Sequence, residues 1–473
     1  MVCYLIMQFC VVIHGSMNKY AKLVVIRFIL EIPEFSMRLF MRQYDYQRNL
    51  LQCEHPNSYQ QLIERKHYDF EHGDVKPIAF YLPQFHPISE NDEWWGKGFT
   101  EWTNVTKSMP QFEGHYQPHL AGELGYYNLM TDGVFERQIE LAKMYGIYGF
   151  CFHFYMFDKR KRLLEKPLDK FLNNHGLDMP FCLCYANENW TRRWDGHNND
   201  ILMSQTYGDS FESDLAEELS KYLLDKRYIH IEDKPLVIIY RIDILPNLKD
   251  FSNIFRDECR RCGIGEIYLC SILSFEIEDA IKYGFDDNIE FPLHGVEKKK
   301  FSKKFNLEFN LFNNNFSGTV FSYPHTVESE LRKEPLFPRL RGVMPSWDNE
   351  ARKPGRGHIF HGSTPELYGA WLQGICNKTL IERPESQRFV FINAWNEWAE
   401  GAHLEPDRRY GYAYLEATYQ AIANCDKFPD VKKIDFNNLN SQCLYRKYNK
   451  PKIIQIVIRL YKLMIKSIAQ KQK

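Results

Sequence analysis

From Asp74 onward the chain alternates short apolar runs with longer amphipathic stretches, and this alternation limits the fold more than any other feature. The apolar runs are PIAFYLP (from Pro77), IYGFCFHFY (from Ile147), PFCLCYAN (from Pro180), PLVIIYR (from Pro235), EIYLCSI (from Glu266), DNIEFPL (from Asp287), RGVMPSW (from Arg341) and RFVFINAW (from Arg388). Helix-like stretches between them include DGVFERQIELAKMYG, FESDLAEELSKYLLDK, FSNIFRDECRRCG and TPELYGAWLQGICNKTLI. Continuously apolar strands separated by amphipathic helices imply a parallel sheet covered on both faces. Eight such units predict an α/β fold, a (β/α)8 TIM-type barrel, with an N-terminal extension (1–73), the barrel itself (74–425) and a basic C-terminal helical tail (426–473). The alternative is a doubly wound open sheet, which would carry a glycine-rich phosphate turn after its first strand. The turn there reads PQFHPISENDEWWGKGF instead.

The length of 473 residues suits one large barrel with extensions. A net charge of −1 offers no electrostatic footprint for nucleic acid. The twelve cysteines show no compact spacing, and the lone C-x-x-C at Cys259–Cys262 lacks the second ligand pair of a zinc site. Reduced thiols in a cytosolic protein are therefore expected. The apolar N-terminus, MVCYLIMQFCVVIHG, has no basic n-region and no A-x-A site, so it reads poorly as a signal peptide. A bilayer span takes roughly 20 apolar residues, and His14 ends this run sooner. Met17 and Met37 are alternative starts.

Barrel enzymes place their chemistry at the C-terminal ends of the strands. In this chain those ends hold Gln84 and His86, His153 and Tyr155, Asn187, Glu188 and Asn189, Trp347 and Asp348, and Trp395, Asn396 and Glu397. Eight of the nine tryptophans, Trp94, Trp95, Trp102, Trp190, Trp194, Trp347, Trp395 and Trp398, fall in or just after such ends. Indoles gathered at one rim suit a floor on which apolar sugar faces stack, while carboxylates and amides bond the hydroxyls. The strongest acid pair is Glu397 with Glu400, three positions apart, on one side of the chain if the loop makes a helical turn. Retaining glycoside chemistry asks for two carboxylates roughly 5 Å apart. Glu405 is a third carboxylate, read as structural or hydroxyl-binding. In ANENWTRRWDGHNN, Arg192 and Arg193 can hold a phosphate or carboxylate, or pair with Glu188 and Asp195.

His115 and His119 have a spacing of four, but Pro118 argues against a regular helix and no H-E-x-x-H is present, so no metal site and no cofactor are expected. There is no P-loop, and no D-x-D of the kind many metal-dependent nucleotide-sugar transferases carry. The segment between strands six and seven, with EKKKFSKKFN and NLFNNNFSG, is a solvated loop or a lid. From Tyr445 the tail has nine Lys or Arg and no acid, with Ile453, Ile456, Leu460, Leu463 and Ile468 among its apolar residues. A basic amphipathic helix of this kind reads as peripheral membrane contact, or as a helix docked on the barrel.

Several long motifs occur in order: KPIAFYLPQFHPISENDEWWGKGFTEWTNV, GHYQPHL, YANENWTRRWDG, VMPSWDNEAR and NAWNEWAEGAHLEPD. Together they resemble the WbsX-type glycosyltransferase family of bacterial polysaccharide biosynthesis, which carries a glycoside hydrolase family 99-like domain. The likeness runs from about Lys76 to Cys425. It implies a (β/α)8 barrel and work on lipopolysaccharide O-antigen or related surface glycans. The implied location is cytoplasmic, peripheral to the inner membrane. Implied partners are an oligosaccharide or lipid-linked glycan and a sugar-nucleotide donor. By the same likeness, Glu397 acts as base on the sugar 2-hydroxyl through an epoxide-like intermediate, and Glu400 is the general acid/base. Hydrolases of family 99 commonly have a histidine before the second glutamate, where this chain has Ala399. Glycosyl transfer is the leading expectation. The alternatives are an endo-glycosidase acting on α-mannose-type glycans and a non-catalytic glycan-binding barrel.

Overall fold

A computed structural model describes residues 59–157, 160–192, 197–274, 279–296 and 311–425. Residues 1–58 of the expected extension, the whole of the expected basic tail, Arg193 and Trp194, and the basic part of the segment between strands six and seven lie outside these.

All eight apolar runs form strands: β1 (Lys76–Tyr81), β2 (Gly149–Met156), β3 (Phe181–Tyr185), β4 (Lys234–Ile239), β5 (Tyr268–Leu273), β6 (Asp287–Glu290), β7 (Arg341–Val343) and β8 (Phe389–Ile392). Each pairs in parallel with its sequence neighbour from β1 to β6, and β8 lies between β7 and β1. The remaining gap is closed by a parallel bridge from Ile289 to Leu340, where Glu290 N–H donates to Leu340 O (2.9 Å) and Leu340 N–H to Asn288 O (2.8 Å). The (β/α)8 barrel expected from the strand count is the fold. Nearly every residue of β1, β3, β4 and β8 is buried, because helices cover one face and the barrel interior the other.

Among the described residues the α-helices are α1 (Ser89–Trp95), α2 (Glu101–Lys107), α3 (Val134–Met144), α4 (Glu165–Asn173), α5 (Phe211–Leu223), α6 (Leu248–Arg261), α7 (Tyr323–Arg332), α8 (Pro365–Glu382) and α9 (Ala413–Ala423). The start of α8 follows from its sequence. Thr364 Oγ1 accepts from Leu367 N–H (3.3 Å), and Pro365 occupies a first-turn position that needs no donor. Between β5 and β6 the described residues hold a 3-10 turn, Ile281–Tyr283, in place of a helix. Residues 59–73 strap the outside of α9: Gln60 exchanges backbone bonds with Tyr410 and Tyr412, and Arg65 pairs with Glu416 while lying 3.9 Å over the Tyr419 ring. The eight cysteines among the described residues are free thiols. No helix of the described residues is long and apolar enough to cross a membrane.

The seam between β6 and β7 is the thinnest part of the wall, and Gly342 makes it close. A Cβ there would lie 2.3 Å from Glu290 O. Beside it, Arg341, 1% exposed, donates to the Glu290 carboxylate (2.9 Å) and ties β7 to β6. Gly342→Ala is expected to cost about 1–3 kcal/mol through overpacking. A thermal midpoint equal to that of the parent would show the seam to be slack.

Candidate active site

The chain leaves β8 and folds back over the barrel mouth. Trp395 N–H donates to Phe80 O (2.8 Å), and Leu404 N–H returns to Trp395 O (2.9 Å). Between them, Asn396–Glu397 pairs antiparallel with Ala402–His403, and Trp398–Glu400 forms a 3-10 turn. In a 3-10 turn, side chains three positions apart eclipse. Glu397 and Glu400 therefore leave the backbone on the same side.

Both acids end on one guanidinium. Arg352, from the 3-10 turn Asn349–Ala351 after β7, bonds Glu397 Oε2 through Nη2 (2.9 Å) and Glu400 Oε1 through Nη1. A third carboxylate shares it: Glu101, fully buried at the start of α2, accepts from Arg352 Nε (3.1 Å) and lies 3.0 Å from Nη2. Burial works against the charge of Arg352, yet three carboxylates hold its pKa well above the ordinary guanidinium value. Burial pushes Glu397 up to about 8. The charges of Glu400 and Glu101 add to that rise and Arg352 opposes it. Burial also raises Glu400, again against Arg352 and with help from Glu101. The Glu400 side chain is 19% exposed against 7% for Glu397, so Glu400 is the more open of the pair.

Neighbouring strand ends line the same hollow. His153 Nε2 lies 3.9 Å from Glu397 Oε1, and its ring stacks on Phe80. Burial, reinforced by the Arg352 charge, lowers His153 to about 4, so its imidazole is neutral at pH 7. Burial and the Glu397 charge keep the Tyr155 phenol well above its usual range. Burial raises Tyr240, at the end of β4, with contributions from Glu188 and Glu400. The ring of Trp190 packs edge-on against Tyr155 (5.3 Å) and Trp94 (5.9 Å), and Trp94, Trp95, Tyr155 and Trp190 are partly exposed. Gln84 and His86 are buried, each with one side-chain nitrogen lacking a partner (Nε2 in both). His86 Nδ1 bonds Pro83 O (2.9 Å), and burial lowers its pKa to about 4.

Other expected sugar ligands serve as scaffolding. Trp102, Trp347, Trp395 and Trp398 are all at most 7% exposed and belong to the core, leaving no open ring face. Trp395 packs on Phe150, and Trp398 sits between Trp102 and His403. Asn396 Oδ1 accepts from Leu82 N–H (2.7 Å) and its Nδ2 donates to Leu82 O (3.0 Å), locking the β8 loop to the end of β1. Asn187 does the same to Arg241 N–H (2.8 Å) and O (2.7 Å), joining the ends of β3 and β4. Asp348 is saturated by His115 (2.6 Å), Gln117 (2.8 Å) and Glu350 N–H (3.0 Å), while its own N–H donates to Glu400 O (2.6 Å). Glu405 is buried among Gln138, Trp398 and Tyr127, and burial pushes it up to about 7. Glu188 pairs with Arg241 (2.9 Å), and Asn189 accepts from Gln205 N–H (2.6 Å). Of Arg192, only the backbone is described.

A model of the family described as "Glycosyltransferase WbsX" matches residues 77–418, most of the chain. The chain belongs to the WbsX glycosyltransferase family. It is also similar to two proteins called "Uncharacterized protein WxcX" from Xanthomonas campestris pv. campestris. The one from strain B100 is 45% identical and the one from strain ATCC 33913 is 44% identical, each over 360 residues. Those residues are 75% of this chain and 50% of each relative, so the chain spans about half the length of the curated relatives it matches. Among solved structures, a "Glycoside hydrolase-like protein" aligns over 77% of this chain and 98% of its own at 14% identity and TM-score 0.46. The GH99 endo-alpha-mannosidase from Bacteroides thetaiotaomicron aligns over 74% and 98% at 13% identity and TM-score 0.44. Likeness at that level carries no argument about chemistry.

In this WbsX-family chain, sequence reasoning passed over Arg352, Glu101 and Tyr240. Each lies inside a stretch already singled out, VMPSWDNEAR, GFTEW and PLVIIYR. An arginine closing a loop beyond a strand end is an ordinary surface pattern, and nothing local shows that it turns inward. Gly401 is a clearer local signal. Its φ is +59°, and a Cβ would meet Asp348 Cβ at 3.0 Å. Gly401→Ala is expected to shift the Glu400 turn and cost about 1–2 kcal/mol. A parent-like melting temperature together with parent-like turnover would refute it.

Proposed function

We propose that this chain is a carbohydrate-active enzyme that transfers a glycosyl group during cell-surface polysaccharide assembly, with Glu397 and Glu400 as the reacting carboxylates. The observation that carries the reading is the single Arg352 guanidinium holding both acids at the barrel mouth. Three carboxylates against one arginine leave two surplus negative charges when all are ionised. Burial raises both glutamates, so the cluster retains a proton near neutral pH. A pair sharing one proton supplies an acid for a departing oxygen and a base for an incoming or neighbouring hydroxyl. Glu400, the more open of the two, suits the acid/base role that the family resemblance implies, and Glu397 suits contact with the 2-hydroxyl. Tyr155, kept as a phenol, and neutral His153 flank the pair as hydrogen-bonding groups. Partly exposed Trp94 and Trp190 offer ring faces to a glycan.

The surplus negative charge favours a second reading. Carboxylates repel a sugar diphosphate, whereas a neutral glycan enters without that cost. Endo-hydrolysis of an α-linked glycan is therefore the rival. Incubation with a lipid-linked oligosaccharide and a panel of nucleotide sugars, followed by mass spectrometry, separates them. A product one sugar heavier supports transfer. New reducing ends without any donor support hydrolysis and overturn it. Glycan binding without turnover of either kind refutes both.

A further inference from the structure

Away from Arg352, on the outer side of the same hairpin, His119, His403 and Asp407 converge. We propose that they form a binding site for a dication of the zinc class. Each is at most 4% exposed, and one ligand atom of each lies within 4.8 Å of the other two. His119 Nδ1 is 2.8 Å from His403 Nε2, and His403 Nε2 is 4.0 Å from Asp407 Oδ2.

The orientation of His403 is that of a ligand. Its Nδ1 bonds Glu405 O (3.0 Å), which makes Nδ1 the protonated nitrogen and leaves the Nε2 lone pair on the side of His119 and Asp407, where it accepts from His119 Nδ1–H, a proton that a bound ion would displace. Metal-bound imidazoles are held in this way, with the far nitrogen on a carbonyl or carboxylate. The Asp407 carboxylate accepts from Tyr116 OH (2.7 Å) and Tyr410 N–H (2.5 Å), both neutral donors. Its buried charge thus gains from a cation placed between it and the rings. Two imidazoles and one carboxylate form a borderline donor set suited to zinc. Zinc–nitrogen bonds of ~2.0–2.1 Å set tetrahedral ligand atoms roughly 3.3 Å apart, so the His119–His403 and His403–Asp407 pairs each move by less than about 1 Å to bind, and the third pair by at most about 1.5 Å. A cavity of about 430 Å³, lined by Ala121, Gly122, Glu123, Pro406, Asp407 and Tyr412 among others, borders the cluster on the Asp407 side. Arg409, over the Tyr116 and Tyr410 rings, is the neighbouring positive charge and weakens the site relative to one with a second carboxylate.

Such an ion would join the GHYQPHL segment to the hairpin carrying both glutamates, because the His403 ring also stacks on Trp398 (3.7 Å). The role is structural and independent of which reaction the glutamates perform. The test uses the full chain, stripped with a chelator and then titrated with zinc or cobalt(II). Expected are about one tightly held equivalent, a higher melting temperature, and the intense visible bands of tetrahedral cobalt. His403→Gln and Asp407→Asn should each weaken uptake at least ~10-fold. Weak, octahedral cobalt spectra in the parent protein overturn the proposal whether or not the variants fold. So does equal zinc uptake by the parent and both folded variants, which would place the ion on surface histidines such as His72.

Discussion

An Arg352→Met variant is expected to lose both activity and stability. Removing the guanidinium leaves Glu101, Glu397 and Glu400 without the counter-charge they share, and Glu101 is wholly buried. Breaking a buried ion pair by deleting one partner costs about 3–5 kcal/mol. Here three acids lose the same partner, so the upper end of that range applies. Part of the loss is relieved by protonation: without the arginine, each carboxyl takes up a proton more readily. The deficit should therefore shrink as pH falls towards 5, where the acids go neutral. Arg352→Lys restores the charge but cannot reproduce a fork that reaches three carboxylates, so it should recover stability better than turnover. Chemical denaturation at pH 5 and pH 8 is the measurement. A deficit that does not depend on pH would mean that Arg352 acts through packing and not as the charge centre of the site.

Glu397→Gln and Glu400→Gln should each reduce turnover by about 10²–10⁴-fold, the range for loss of an acid–base group. Stability should move differently. Burial raises Glu397 from 4.5 to about 8, so the folded chain binds its proton more tightly than the unfolded chain does. The contribution of this group to stability is complete below about pH 4.5, declines as pH rises, and is gone above about 8. Glutamine cannot ionise and escapes that decline. Glu397→Gln should thus equal or exceed the parent in melting temperature at pH 8, and its advantage should fade towards pH 5. The activity of the parent should fall above pH 8, as the proton shared by the pair leaves. If Glu397→Gln is inactive and also increasingly destabilised with rising pH, the carboxylate is a structural anion and the proton-sharing mechanism fails.

The barrel was legible because its signal is repeated and local. Eight runs, most of them apolar along much of their length, all became strands, since a strand covered on both faces has little place for a polar alternation; the weakest signal was DNIEFPL, where Asp287, Asn288 and Glu290 make up three of the four strand residues. Helices α1, α2, α4, α7 and α9 were not among the stretches named as helical. Tyr323–Arg332 follows a segment read as loop, and Ala413–Ala423 is buried on several sides and shows little amphipathic contrast. The rim position of the NEWAEG stretch and the shared side of Glu397 and Glu400 also followed from chain position and spacing. The fate of the tryptophans did not. An indole at a strand end can look outward to a sugar or inward to a core. Trp94 and Trp190 remain partly open while Trp395 and Trp398 are covered, and that choice depends on loops far away in sequence. The same holds for Asn187 and Asn396. They were read as sugar ligands, and in the fold their amides are fully used in bonding neighbouring strand ends.

Periodicity and short-range spacing by themselves determined the α/β class, the number of barrel strands and the location of the acid pair, because these depend on contacts within a few residues. Tertiary structure alone decided the electrostatics. Arg352 stands 45 residues before Glu397, and Glu101 stands 251 before Arg352. Their meeting is set by barrel closure, which brings the loops after β1, β7 and β8 over one mouth. A carboxylate's charge there depends on which distant groups share its buried space, and no local pattern records that.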